Sequence, residues 1–227
     1  MSRYDFHLSI AALAIDDPRF TWDTYWGGDF DVVDYVSGRL SCVADYQAVL
    51  GSEFRPFDPN QGKYTLEVSS SVRAGATEIA GVLHHVSRHL SDRPKRLSIA
   101  MNVLSGRVMR QFALGGATLA MRADAGKVIE RAYLDYTWTA DLDLLLRRPF
   151  NQHAGLFGRV YGEVFGVDPT IAGRDRQQGG RVEGGVGLNG SGGSLELFAG
   201  YERVIDAYAL DRQPRRWAFA GFRLISK

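Results

Sequence analysis

The chain has 227 residues, a length that suits one all-β domain. Its 27 Lys and Arg residues nearly balance 26 Asp and Glu residues, so no overall charge indicates a nucleic acid or an acidic partner. The single cysteine, Cys42, excludes an internal disulfide, and no apolar run approaches the roughly 18 residues of a membrane helix.

Segments that alternate between apolar and polar side chains follow one another along the chain, and a period of two is typical of β-strands. In chain order they are Phe6–Ala14, 20–34, Leu40–Leu50, Lys63–Arg73, 77–89, Leu97–Val103, Leu119–Ala123, Leu134–Leu144, 152–166, Val182–Leu188, Leu195–Tyr201 and 214–226. The clearest is Leu134–Leu144, where we expect Tyr136 and Trp138 to share the lipid-facing side with Leu134. About twelve strands are therefore predicted.

Strand length and connections favour a membrane barrel. Many segments exceed the roughly 5 or 6 residues of an average strand and approach the 9 to 11 that cross a bilayer. The connections after odd-numbered strands, such as 51–62 and 167–178, are long and polar, whereas 74–76 and 189–193 are tight. We predict an all-β fold, a closed antiparallel transmembrane β-barrel of about 12 strands, as a single domain over residues 1–227. Alternation does not show which face is inside, so a soluble β-barrel that binds a small apolar ligand is an alternative.

The polar faces predict a charged lumen. The residues expected to line it, deep within their strands, are Glu67, Arg73, Asp135, Asp141, Asp143, Arg181 and Glu183. Ion pairs of these acids with Arg73, Arg159 or Arg181 across the lumen are expected. Such a barrel would act as a narrow, porin-like channel or as a structural or binding platform.

The two ends of the tail, 198–208 and 216–224, resemble the final hairpin of bacterial outer-membrane barrels, and in particular that of the twelve-stranded outer-membrane phospholipase A family. His85-Val86-Ser87 is similar to the His-x-Ser pair of that family. The resemblance implies a membrane-embedded serine hydrolase with Ser87 as nucleophile, His85 as base and Asn102 orienting the base. It would also imply calcium, although Arg88 and His89 replace the Asn-Gly that follows the family's serine.

The residues themselves support part of this alternative. His85 and Ser87 share one face of a strand, and a hairpin that pairs His85 with Asn102 would also pair Ser87 with Ala100. However, Leu97, Ile99, Met101 and Val103 make a better lipid face than the set that contains Asn102. The sequence therefore favours a protein that is not an enzyme. No metal is predicted, because His84, His85 and His89 lack a further ligand, and no other cofactor is expected.

The predicted location is the outer membrane of a Gram-negative bacterium, with the signal peptide removed from this chain. The expected partners are membrane lipid and the barrel-assembly machinery, with no nucleic acid. The oligomeric state is not predicted.

Overall fold

A computed structural model describes residues 4–90, 99–170, 173–174 and 176–226. The strands are β1 (Tyr4–Ala14), β2 (Trp22–Tyr35), β3 (Gly38–Gly51), β4 (Asp58–Ala74), β5 (Thr77–Leu90), β6 (Ile99–Leu114), β7 (Ala117–Ala132), β8 (Tyr136–Pro149), β9 (Ala154–Val167), β10 (Gln177–Asn189), β11 (Gly193–Val204) and β12 (Arg215–Ser226). Within these ranges, no helix is long and apolar enough to cross a membrane.

The strands form one closed antiparallel barrel. Each strand pairs with its neighbours in sequence, and β1 pairs with β12 from His7 opposite Ile225 to Ala14 opposite Ala218. Closure gives every strand a partner on both sides, as backbone groups in hydrocarbon require. The predicted fold class and its strand number are confirmed.

The predicted segments correspond to the observed strands, but several predictions were too short, including Val182–Leu188 in β10 and Leu195–Tyr201 in β11. The segment Leu97–Val103 overlaps the much longer β6 from Ile99 onward, and its first two residues, Leu97 and Ser98, lie outside the described residues. The segment Leu119–Ala123 falls within the much longer β7. The connections 36–37, 75–76 and 115–116 are tight turns, and Gly75 and Gly115 adopt the positive φ that such turns favour. The opposite rim carries the connections 15–21, 133–135 and 205–214. We call the rim with the tight turns the turn side and the opposite rim the loop side.

The barrel is apolar outside and charged inside. Leu66, Leu83 and Leu104 are each about half exposed on the outer surface, whereas Glu67 and Glu183 are buried inside. The outer apolar band includes Leu66, Val68, Ile79, Leu83, Leu104, Val108, Leu142, Val160, Val182, Leu197 and Phe222. An apolar band of this extent is unfavourable in water and suits hydrocarbon. The soluble-barrel alternative is therefore wrong.

The predicted lipid face of β8 is also wrong at its loop-side end. Tyr136 is 2% exposed and points inward, whereas Trp138 is 41% exposed and points outward. A register shift between these two residues leaves Thr137 as a bulge, and its hydroxyl donates to the carbonyl oxygen of Gly166 at 3.2 Å. Leu134 precedes the strand and packs against the inner residues. The bulge thus reverses the direction of the side chains on either side of it.

This inside/outside assignment can be tested on β8. We expect Leu142→Arg to destabilise the barrel by about 2 to 4 kcal/mol, because it places a charge in hydrocarbon. Thr139→Arg is the matched control, since Thr139 faces the interior beside Asp141. The measurement is urea-dependent folding into lipid vesicles, and equal loss of stability in both variants would contradict the assignment.

Candidate active site on the lipid-facing surface

A polar cluster interrupts the apolar outer surface on three adjacent strands. His85 and Ser87 lie on β5, Asn102 on β6 and Glu130 on β7. The register places His85 opposite Asn102, and Asn102 opposite Glu130. A register shift after Asn102 leaves Ile129 as the extra residue on β7. We call these four residues the outer polar cluster.

The face of β6 that points into the barrel differs from the prediction. Ile99, Met101 and Val103 are buried inside, whereas Leu104, two residues from Asn102 on the same face, is exposed outside. The reason is an apolar core within the loop-side part of the barrel, where Met101 and Val103 pack with Val86, Val128, Tyr136 and Ile205. The apolar side chains of this segment therefore do not face lipid. The sequence suggested that a triad containing Asn102 could not share the lipid-facing side with the apolar residues of this segment. Because those residues face the interior, Asn102 is free to lie on the lipid-facing side.

The cluster fixes the orientation of the His85 ring. His85 Nδ1 and Asn102 Oδ1 are 2.6 Å apart, and Asn102 Nδ2 donates to Glu130 Oε2 at 2.8 Å. An ionised carboxylate only accepts hydrogen bonds, so Glu130 keeps the amide NH₂ on its side and turns Oδ1 toward His85. His85 Nδ1 then carries the proton and donates it to Asn102. This leaves Nε2 free to accept a proton.

Ser87 lies on the same face of β5, about 7 Å along the strand from His85. Its partners in the register are Ala100, a small residue on β6, and Tyr64 on β4. The predicted register, with His85 opposite Asn102 and Ser87 opposite Ala100, is the one that the structure has. A hydroxyl, an imidazole and an amide that orients the imidazole are the three groups that nucleophilic acyl transfer by a serine uses.

A row of aromatic side chains marks the depth of this cluster. The ring centroids of Trp26 and Tyr46 are 4.6 Å apart, those of Tyr46 and Tyr64 are 4.6 Å apart, and the Tyr64 ring meets His89 edge-on at 5.6 Å. Outward-facing Trp and Tyr residues typically lie at the boundary between lipid and water. Because Ser87 is paired with Tyr64, it lies close to that boundary on the loop side.

Some of the predicted lumen residues do point into the barrel. Arg107 donates to Glu67 at 2.5 and 2.8 Å and to Asp124 at 2.8 Å, which joins β4, β6 and β7. Arg159 pairs with Asp143 at 2.5 Å. Asp141 also lines the interior. These pairs compensate charges that would be costly if they were buried alone.

A second network runs along the inner wall across the adjacent strands β10, β11 and β12. Glu183 accepts hydrogen bonds from Arg181 at 2.8 Å and from Arg223 at 2.9 Å. Arg181 also reaches Glu202, which accepts a hydrogen bond from the Trp217 indole at 2.5 Å. The interior on this side is therefore crosslinked by charged hydrogen bonds.

Two predicted lumen residues, Arg73 and Asp135, lie at the rims instead. Arg73 is near the end of β4 on the turn side and pairs with Asp34 at 3.1 Å. Asp135 lies in the 133–135 connection on the loop side, where it is 3.4 Å from Arg174 and 3.6 Å from Arg212. The prediction that both lie deep within their strands is wrong, because β8 begins only at Tyr136 and β4 ends at Ala74.

The connection 205–214 folds inward and covers the loop-side mouth. Asp206 accepts hydrogen bonds from the Tyr136 hydroxyl and from Arg174, the latter at 2.9 Å. Arg88 donates to the carbonyl oxygen of Asp206 at 2.5 Å, and Gln61 donates to that of Ala207 at 2.6 Å. We call residues 205–214 the cap. Its buried residues make it part of the interior rather than a free surface loop.

The 15–21 connection reinforces the cap. Phe20 is buried and stacks on Trp217, with ring centroids 5.4 Å apart. The Arg19 guanidinium lies 4.7 Å from the ring centroid of Tyr208, and its hydrogen bond to Asp17 lowers the pKa of that carboxyl. Inside the barrel a cavity of about 790 Å³ remains, lined among others by Asp23, Lys63 and Glu163.

The described residues contain no group of three or more His, Cys, Asp and Glu side chains able to hold a metal ion. His84 lines the interior, whereas His85 and His89 lie on the outer surface. Residues 91–98, which follow the strand of the outer polar cluster, lie outside the described part of the chain. The described residues therefore offer no cluster of carboxylates for calcium.

Closure, an apolar outer band and a charged interior define a transmembrane β-barrel of the bacterial outer-membrane type. Similar solved structures include LpxR from Salmonella typhimurium, with 9% identity over 98% of this chain and 99% of that chain and a TM-score of 0.56. The calcium-bound dimer of Salmonella typhi outer membrane phospholipase (OMPLA) matches with 10% identity over 99% and 90% and a TM-score of 0.59. OmpT of Vibrio cholerae matches with 11% identity over 99% and 96% and a TM-score of 0.52.

At these identities the likeness establishes the fold alone. No protein-family model matches the sequence, and no curated protein matches it.

The covering role of the cap can be measured. We expect Asp206→Ala to increase the open time of single-channel currents in planar bilayers, because it removes the acceptor for Tyr136 and Arg174. Asp34→Ala, at the opposite rim, is the control and should match the wild type. If the cap variant and the wild type give identical currents, the cap does not close the lumen.

Proposed function

We propose that this protein is an outer-membrane serine hydrolase that cleaves ester bonds of membrane lipids at the outer polar cluster. Ser87 is the nucleophile, His85 is the general base and Asn102 orients His85. The observation that carries the proposal is the 2.6 Å hydrogen bond between His85 and Asn102 on the same lipid-facing surface as Ser87.

The chemistry follows from the ring orientation. Ser87 Oγ attacks the ester carbonyl carbon while His85 Nε2 takes its proton, and the same proton then passes to the leaving alcohol oxygen. Water next attacks the acyl-serine with His85 again as base, which releases the fatty acid and restores Ser87. Asn102 stabilises the protonated imidazole by accepting the hydrogen bond from Nδ1. No step is assigned to calcium.

The placement of the cluster supports a lipid substrate. The four side chains lie on the outer surface, and Ser87 is paired with Tyr64, the last ring of the row of Trp26, Tyr46 and Tyr64. Such rings favour the depth where lipid ester groups meet water. A lipid can reach this surface by lateral movement within the membrane. A soluble substrate in the lumen would not reach it, because His85 and Ser87 face away from the interior.

The proposal also covers where the protein is located and how the barrel is assembled in the membrane. The apolar band and the long connections on one rim support insertion in the bacterial outer membrane with the loop side outward. Folding there would involve the barrel-assembly machinery as a partner, and the surrounding lipid would be both solvent and substrate.

A second candidate is the expected narrow channel or binding platform. The observation that favours it is the interior cavity of about 790 Å³ with charged walls. The cap covers the loop-side mouth, so solute passage would require the cap to move. The single-channel measurement above tests this candidate independently of the hydrolase.

The hydrolase has a direct test. We expect detergent-refolded protein to release fatty acid from phospholipid micelles, and Ser87→Ala to abolish the release because the attacking oxygen is gone. Ser105→Ala is the control, since Ser105 faces the interior. The wild type and the two variants are each assayed with calcium and with a chelator. A folded wild type that is inactive under both conditions, or an active Ser87→Ala, would contradict the proposal.

The role of Glu130 gives a separate prediction. Glu130→Gln weakens the constraint on the Asn102 amide, so we expect kcat to fall about 10-fold with little change in KM, from the loss of one charge-assisted hydrogen bond. Lys127→Gln, another outward-facing polar residue on β7, is the control. Unchanged kcat in Glu130→Gln would show that the carboxylate does not position Asn102.

A further inference from the structure

Two arginine side chains lie next to each other on the outer surface, on the side of the barrel opposite the outer polar cluster. Arg203 on β11 is directly opposite Arg216 on β12 in the register. Their neighbours Glu202 and Trp217 are buried inside, whereas Tyr201 is exposed outside. Because the register is regular at both positions, alternation points both side chains outward. The Nε of Arg203 is buried, whereas its Nη1 contacts the Gln178 carbonyl oxygen in an exposed position.

These two arginines differ from those inside the barrel. Arg107, Arg181 and Arg223 each pair with carboxylates. Over the described ranges, neither Arg203 nor Arg216 has an ion-pair partner, and Arg203 donates to the backbone carbonyl oxygen of Gln178. Like charges directly opposite each other on neighbouring strands repel. The pair is therefore suited to an anion from outside the protein.

The depth of the pair indicates which anion is available. Tyr201 lies two residues nearer the membrane centre on the same face of β11, and exposed Tyr residues favour the lipid–water boundary. The arginines extend about 7 Å further toward the loop side, where lipid headgroups lie. The anion that headgroups offer at this depth is phosphate, and two guanidinium groups side by side match its oxygens with paired hydrogen bonds.

We propose that Arg203 and Arg216 form a binding site for the phosphate group of an outer-leaflet lipid, with Tyr201 against the upper part of its acyl chain. The site lies on β11 and β12, about half the circumference from β5 and β6, and so it does not depend on the hydrolase. The site would hold a lipid at the barrel surface, and the bound phosphate would offset the repulsion between the two guanidinium groups.

The test compares two lipids that differ only in phosphate. Folded protein in detergent is titrated with dialkyl-ether phosphatidic acid or with the matching dialkylglycerol, and bound lipid is counted by native mass spectrometry. Ether linkages keep ester hydrolysis out of the measurement. We expect the phosphate-bearing lipid to bind at least 10-fold more tightly, and Arg203→Gln or Arg216→Gln each to weaken it about 10-fold.

The control is Arg148→Gln, an outward-facing arginine at the turn-side end of β8, which should leave binding unchanged. Arg203→Lys and Arg216→Lys keep the charge but lose the paired hydrogen bonds, so their affinities should be intermediate. Equal affinity for both lipids, or an equal loss in Arg148→Gln, would overturn the proposal. Binding of inorganic phosphate alone with the affinity of the lipid would also overturn it, because the site would then recognise the free ion.

Discussion

The pairing of β1 with β12 is the contact on which the rest of the structure depends. Without it, two strand edges would expose backbone N–H and C=O groups to hydrocarbon. Each unpaired group there would destabilise the fold by roughly several kcal/mol. With it, every strand has one face toward lipid and one toward an enclosed interior. This division explains why Leu66 and Glu67, adjacent in sequence, have opposite environments. It also makes any polar side chain on the outer face a departure that needs a compensating contact.

The outer polar cluster is compensated by its own hydrogen bonds. His85, Asn102 and Glu130 form a continuous chain across β5, β6 and β7, in which His85 Nδ1, the Asn102 amide and Glu130 Oε2 satisfy one another. The same chain determines which His85 nitrogen carries a proton. The contacts that make the cluster tolerable beside lipid are therefore also the contacts that orient the His85 ring, as the proposed hydrolase requires.

Much of the fold follows from the sequence because a period of two is a local property. Residues 64–73 already show the alternation that β4 has. The direction of a face is not local. On β6, the side chains that face the interior are polar near Arg107 but apolar near Met101. The reason is that the cap and its neighbours form an apolar core at the loop side. Bulges at Thr137 and Ile129 reverse the alternation without any mark in composition, which is why the inward Tyr136 and the outward Glu130 escaped prediction.

The hydrogen bonds inside the barrel affect how rigidly the outward-facing side chains are held. Arg107 and Glu183 tie several strands together, and the cap ties the loop-side mouth to Tyr136 and Arg88. A barrel crosslinked in this way keeps the positions of its outward side chains well defined, which nucleophilic catalysis requires of a serine and its base. In the proposed hydrolase, the outer surface would receive its substrate from within the membrane, and water for the second step would arrive from the loop side. Chemistry at the boundary beside Tyr64 has access to both, whereas chemistry deeper in the outer band would have lipid without water.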